Sequence, residues 1–182
     1  MATMPRRDFL KTAAATAAAL AFAPRRLFAE AGASAARVVV AHGTDIPKML
    51  AVGIAAVGGW GAFVQPGQKA TLKPNAGWAS TPEQGANTHP LLVEEAIRAI
   101  RAAGASDVVL PENSCSPSAK SFAMSGIAAA AKTAGGRLYE PDDDKDFVEV
   151  AVPGGKTLKQ VAVVRDVLET GCLINMPVAK TH

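Results

Sequence analysis

Residues 71–90, TLKPNAGWASTPEQGANTHP, constrain the fold more than any other stretch of this 182-residue chain. The run that leads through Lys73 reads as a buried strand. Pro74 ends it, because proline brings no N–H to a ladder. A polar crossing follows, and at Pro90 a helix opens in which Leu91, Leu92, Ala96, Ile97, Ile100 and Ala103 recur at helical spacing. Strand, loop and helix in this order are half of a βαβ unit. In open α/β sheets ligands sit at the carboxyl ends of such strands, and this single connection carries Lys73, Asn75 and His89.

The same alternation runs through the rest of the chain. Arg37 to Ala41 (RVVVA) reads as a first buried parallel strand. Asp45 as cap and Pro47 in the first turn predict a helix from Lys48 to about Val57, stopped by Gly58, Gly59 and Gly61. Further strands are expected at Lys69 to Lys73, Asp107 to Leu110, Arg137 to Glu140 and Cys172 to Met176. Thr88 is the expected N-cap of the helix from Pro90 to Ala103, with Gly104 at its stop. One alanine-rich helix is expected over Ala119 to Ala134. Phe147 to Val152 and Thr157 to Val164 flank Pro153-Gly154-Gly155-Lys156 as a β-hairpin, and Arg165 to Thr170 is a short helical turn. The expected fold is therefore α/β: a mostly parallel, Rossmann-like sheet over residues 36–182, with helices on both faces and one inserted hairpin. The last strand is followed only by a short loop, so the domain is expected to be incomplete at its carboxyl end.

The first 35 residues have a different character. Arg6-Arg7-Asp8-Phe9-Leu10-Lys11 is a paired-arginine motif ahead of the mildly apolar run Thr12 to Ala23, and small residues follow. That order is a signal peptide, and it resembles the twin-arginine leader. At 12 residues the apolar run falls well short of the roughly 20 that span a bilayer as a helix. The twin-arginine translocation machinery is the implied partner, the implied destination is the periplasm or another exported location, and Ala29, Ala31 and Ala35 are cleavage positions the sequence does not choose among. The formal charge of +3 lies wholly in this leader, which has five basic and two acidic residues. The remainder has 14 of each (19 less 5, and 16 less 2). A neutral body without a basic stripe argues against nucleic acid as a partner.

Several local patterns carry no site. The GGWG at 58–61 follows a helix instead of opening one, so it is not a dinucleotide loop, and the PGGK at 153–156 lacks phosphate-loop spacing. Asp142, Asp143 and Asp144 are adjacent, whereas a calcium loop alternates its ligands, so they read as a solvated turn. Cys115 and Cys172 make no Cys-x2-Cys pair, and no iron–sulfur or zinc motif is present. Cys172 begins a strand and Cys115 follows one, which separates them by about 15 Å at 3.3 Å per residue. A disulfide needs about 7 Å, so none is expected.

Three strands end alike, in a proline followed by polar groups. Lys73 and Asn75 follow one, Glu112, Asn113 and Ser114 another, and Lys180, Thr181 and His182 the last. Parallel strands share one carboxyl edge, so these groups converge on one crevice. Lys73, His89 and Lys180 are the candidate catalytic groups, Asn75, Glu112, Asn113 and Thr181 candidate ligand contacts, and His89 and His182 candidate metal ligands. His42, after the first run, would join the same edge. The expected ligand is a small anion, a metal or a cofactor, held either by an enzyme or by a binding module without catalysis; the alternative is an inactive fragment that does not complete the site.

LKPNAGW at 72–78, Thr88-His89-Pro90, Ala103-Gly104-Ala105 ahead of a strand, and INMPVAKTH at 174–182 together resemble the domain-of-unknown-function family 362. The resemblance covers Val38 to His182. It implies an exported protein, redox-linked in relatives that carry ferredoxin-type cysteines. This chain has no such cysteines, and the family pattern continues beyond Lys-Thr-His.

Overall fold

The computed structural model describes residues 37–181; the paired arginines Arg6 and Arg7, the cleavage positions and His182 lie outside the described residues. Six strands and six α-helices are formed among the described residues. The strands are β1 (Lys69–Pro74), β2 (Asp107–Pro111), β3 (Arg137–Tyr139), β4 (Phe147–Ala151), β5 (Gln160–Val164) and β6 (Cys172–Met176). The helices are α1 (Ile46–Ala56), α2 (Pro90–Ala102), α3 (Ser118–Met124), α4 (Ile127–Ala134), α5 (Asp143–Asp146) and α6 (Arg165–Leu168). Four strands make an all-parallel sheet in the order β3-β2-β1-β6, while β4 and β5 pair antiparallel as a separate hairpin. This is the expected α/β class.

Alternation along the strands sorts the side chains by face. Ala70 and Leu72 of β1, Val108 and Leu110 of β2 and Ile174 of β6 face α2 and α4. There they meet Val93, Ala96, Ile97 and Ile100 of α2, and Ile127 and Ala131 of α4. Lys69, Thr71 and Lys73 point the other way, beside Val109, Tyr139 and Asn175. The short helix α6 crosses this second face. It is held by Thr71 Oγ1, which donates to the Asp166 carbonyl at 2.7 Å, and by the Asp166 carboxylate.

Three local expectations need correction. Residues 37–41 form no strand: no ladder partner lies beside them, and Val38 and Val40 are 84% and 86% exposed. Three valines favour extended backbone, but pairing supplies the stability of a strand. The single helix expected over 119–134 is two, because Gly126 takes a positive φ of 72° between α3 and α4. There a side chain would be strained and its Cβ would sit 3.4 Å from Pro90. Finally, α2 is capped by His89 and not by Thr88: Nδ1 of His89 accepts from the Leu91 N–H at 3.3 Å.

Candidate functional site

The carboxyl ends of β1, β2 and β6 open into a crevice of about 290 Å³. Its polar wall is built by Lys73, Asn75, Glu112, Asn113, Asn175 and Lys180, with Trp78 and Cys115 beside them. Strand geometry explains most of this convergence. Lys73 and Asn175 are register partners on adjacent parallel strands, so their side chains emerge side by side. Glu112 follows directly on β2, tied by its own N–H to the carbonyl of Tyr139 at 3.0 Å.

Lys73 and Glu112 form the centre. Lys73 Nζ donates to Glu112 Oε2 at 2.5 Å and to the Pro74 carbonyl at 2.8 Å. Glu112 is only 5% exposed, and the same Oε2 also accepts the Ala76 N–H at 3.3 Å. Two of the three ammonium protons of Lys73 are thereby used, which leaves one for a ligand.

The loop after β1 is held in place by Thr88. Its hydroxyl accepts the Asn75 N–H at 2.8 Å and donates to the Met176 carbonyl at 2.7 Å, which joins the β1 loop to the end of β6. Asn87 clasps Trp78, accepting its N–H at 3.1 Å and donating to its carbonyl at 2.9 Å. Across the crevice Lys180 Nζ donates to Asn75 Oδ1 at 2.7 Å and to the Ala86 carbonyl at 2.6 Å, and it lies 6.0 Å from the centre of the Trp78 ring. Thus the segment after β6 is fastened to the loop after β1. The amides of Asn113 and Asn175, by contrast, make no hydrogen bond with the described residues and face the open crevice.

Of the residues singled out in the sequence, the structure brings Lys73, Asn75, Glu112, Asn113 and Lys180 together. It places others elsewhere. His89 caps α2 and does not line the crevice, Thr181 is exposed and contributes nothing to the lining, and Ser114 donates to the Ala76 carbonyl at 2.7 Å. His42 lines a separate cavity of about 420 Å³ between residues 40–45 and α1. Among the described residues no group of three or more His, Cys, Asp or Glu is placed to hold a metal ion. Asn175, Trp78 and Cys115 are lining residues that sequence reasoning missed. Asn175 was within reach, since it is the one polar residue inside the apolar run Cys172–Met176. Both cysteines are free, Cys172 at the start of β6 and Cys115 beyond the end of β2.

A second polar cluster lies on the α6 side of the sheet. Asp166 accepts from Lys69 Nζ at 2.7 Å and from the Tyr139 hydroxyl at 2.8 Å, with Arg137 3.4 Å away and stacked over the Tyr139 ring. Burial pulls the Asp166 carboxyl upward, but the bonds from Lys69 and Tyr139 together outweigh it and hold the group below the usual aspartate range. Burial, then the bond to Asp166, pushes the Tyr139 phenol up. Each of these partners is already engaged, so the cluster fastens α6 to the sheet.

Comparison with known proteins agrees with this layout. Residues 3–23 match the twin-arginine translocation pathway signal sequence, so the chain carries a leader for export by that route. No curated protein and no solved structure matches the chain. Residues 71–182 match the profile of a domain of unknown function, DUF362, beginning at the strand that carries Lys73 and omitting α1 and the residues before it. With more than half of its length matched, and the crevice residues all inside that span, the chain belongs to the DUF362 family.

Proposed function

We propose that this is an exported, periplasmic domain that binds a small carboxylate-bearing molecule in the strand-edge crevice. The observation that carries the reading is the charge and donor balance of the lining. Two ammonium groups, Lys73 and Lys180, face one carboxylate, Glu112, and three asparagines stand around them. Among the described residues nothing accepts from the Nδ2 groups of Asn113 and Asn175, and each lysine uses two of its three protons. A carboxylate accepts up to four such bonds and would leave the lining nearly neutral. A metal ion finds less here, since the lone carboxylate is already bonded to Lys73. Binding without turnover is the reading that these contacts support best.

Calorimetric titration of the exported protein with acetate tests it. Acetate should bind, and Lys180→Ala should weaken it about tenfold, which corresponds to 1.4 kcal/mol. Unchanged affinity in that variant would remove Lys180 from the site, and absence of any acetate heat would remove the site.

A further inference from the structure

One atom of the crevice has no partner among the described residues. Glu112 is 95% withdrawn from solvent, and its Oε2 takes both hydrogen bonds that the side chain makes, from Lys73 Nζ and the Ala76 N–H. Oε1 accepts none from the described residues. Nor is it sealed in the interior. Among the described residues the buried polar side-chain atoms without partners are the hydroxyls of Ser118 and Ser121, and Oε1 is not among them. Glu112 is one of the residues that line the crevice. A withdrawn carboxylate oxygen that no described residue bonds, on a residue that lines the crevice, is a built acceptor for a donor on the ligand.

Resting on the proposed carboxylate site, we propose that the crevice selects a short 2-hydroxy carboxylate, its acid group on the free donors of Lys73 and the asparagines and its hydroxyl donating to Glu112 Oε1. Two observations choose this class. First, the donor and the acceptor are adjacent. Lys73 Nζ is bonded to the other oxygen of the same carboxylate at 2.5 Å, so the ammonium group and Oε1 are neighbours. Groups that answer both must be neighbours in the ligand, which puts the hydroxyl on the carbon next to the acid. Second, the lining carries two positive charges and one negative, a net +1. A monoanion with a neutral hydroxyl cancels that charge, whereas an α-ammonium would place a further cation against Lys73.

Calorimetric titration of the exported protein with glycolate, acetate and glycine tests the assignment, because the three differ only in the group on the second carbon. Glycolate should bind at least about tenfold tighter than acetate, and glycine no tighter than acetate, since only the hydroxyl reaches Oε1 as a neutral donor to a charged acceptor. Equal affinities for glycolate and acetate overturn the hydroxyl subsite while leaving the carboxylate site standing. Glycine tighter than glycolate overturns the hydroxyl in favour of an ammonium. Binding of neither acetate nor glycolate overturns the site and this assignment together. The wild-type comparison needs no variant. Glu112→Gln, with its fold verified by thermal melting, should then bring the glycolate-to-acetate ratio close to one, and a ratio that survives the change would remove Glu112 from the recognition.

Discussion

Thr88 does more for the crevice than its size suggests. One hydroxyl accepts from Asn75 and donates to Met176, so the loop after β1 and the end of β6 are joined through a single oxygen. Thr88 is 4% exposed, and losing that oxygen would leave a half-buried N–H and a half-buried carbonyl without this partner. Thr88→Val, which conserves the shape, should therefore destabilise the fold by about 1–3 kcal/mol. Urea unfolding at equilibrium checks this, and a change of a few tenths would show that water replaces the hydroxyl. At this scale the sequence was partly legible. Lys73 and Asn75 stand out because Pro74 marks the end of their strand. Thr88 reads as an N-cap because it is a threonine one residue before His89-Pro90, and nothing in local sequence says that its hydroxyl is claimed by a carbonyl 88 residues away. With that hydroxyl engaged, the cap passes to His89.

At the level of elements, α6 illustrates a contact no periodicity announces. The helix is four residues long, too short to be stable by itself. It is held to the sheet by Asp166, through Lys69, Tyr139 and the Thr71 hydroxyl. Because the folded Asp166 titrates below its unfolded counterpart, at about pH 3.9, its contribution is fully present above that pH. It fades as pH falls through the lower, folded value. Asp166→Asn should thus lower the melting temperature at pH 6, and the gap from wild type should narrow as pH falls below about 3.9, the unfolded value. Melting curves across that range decide it; a gap that stays constant would mean that shape and not charge fastens the helix. The parallel strands β1, β2, β3 and β6 and the hairpin were readable as short runs bounded by proline and glycine. The break at Gly126 was not, since a lone glycine in an alanine-rich run does not show whether its φ is positive. The run at 37–41 misled for the opposite reason: its composition suits a strand, but pairing is a property of the neighbours.

For the molecule as a whole, the leader sets where the chain goes and the sheet sets where its polar strand ends meet. A twin-arginine leader sends the domain out of the cytoplasm, and the parallel sheet gathers the polar ends of β1, β2 and β6 onto one edge. The convergence of Lys73, Glu112 and Lys180 was legible because parallel strands must share that edge. The donor balance was not, because it depends on which amides the fold leaves unused. The most direct test is therefore the ¹⁵N spectrum of the exported protein as acetate replaces chloride at constant ionic strength. The side-chain amide resonances of Asn113 and Asn175 should shift together along one saturable curve, while that of Asn87, already bonded to Trp78, stays in place. If the Asn113 and Asn175 amides do not move, the crevice is not the anion site.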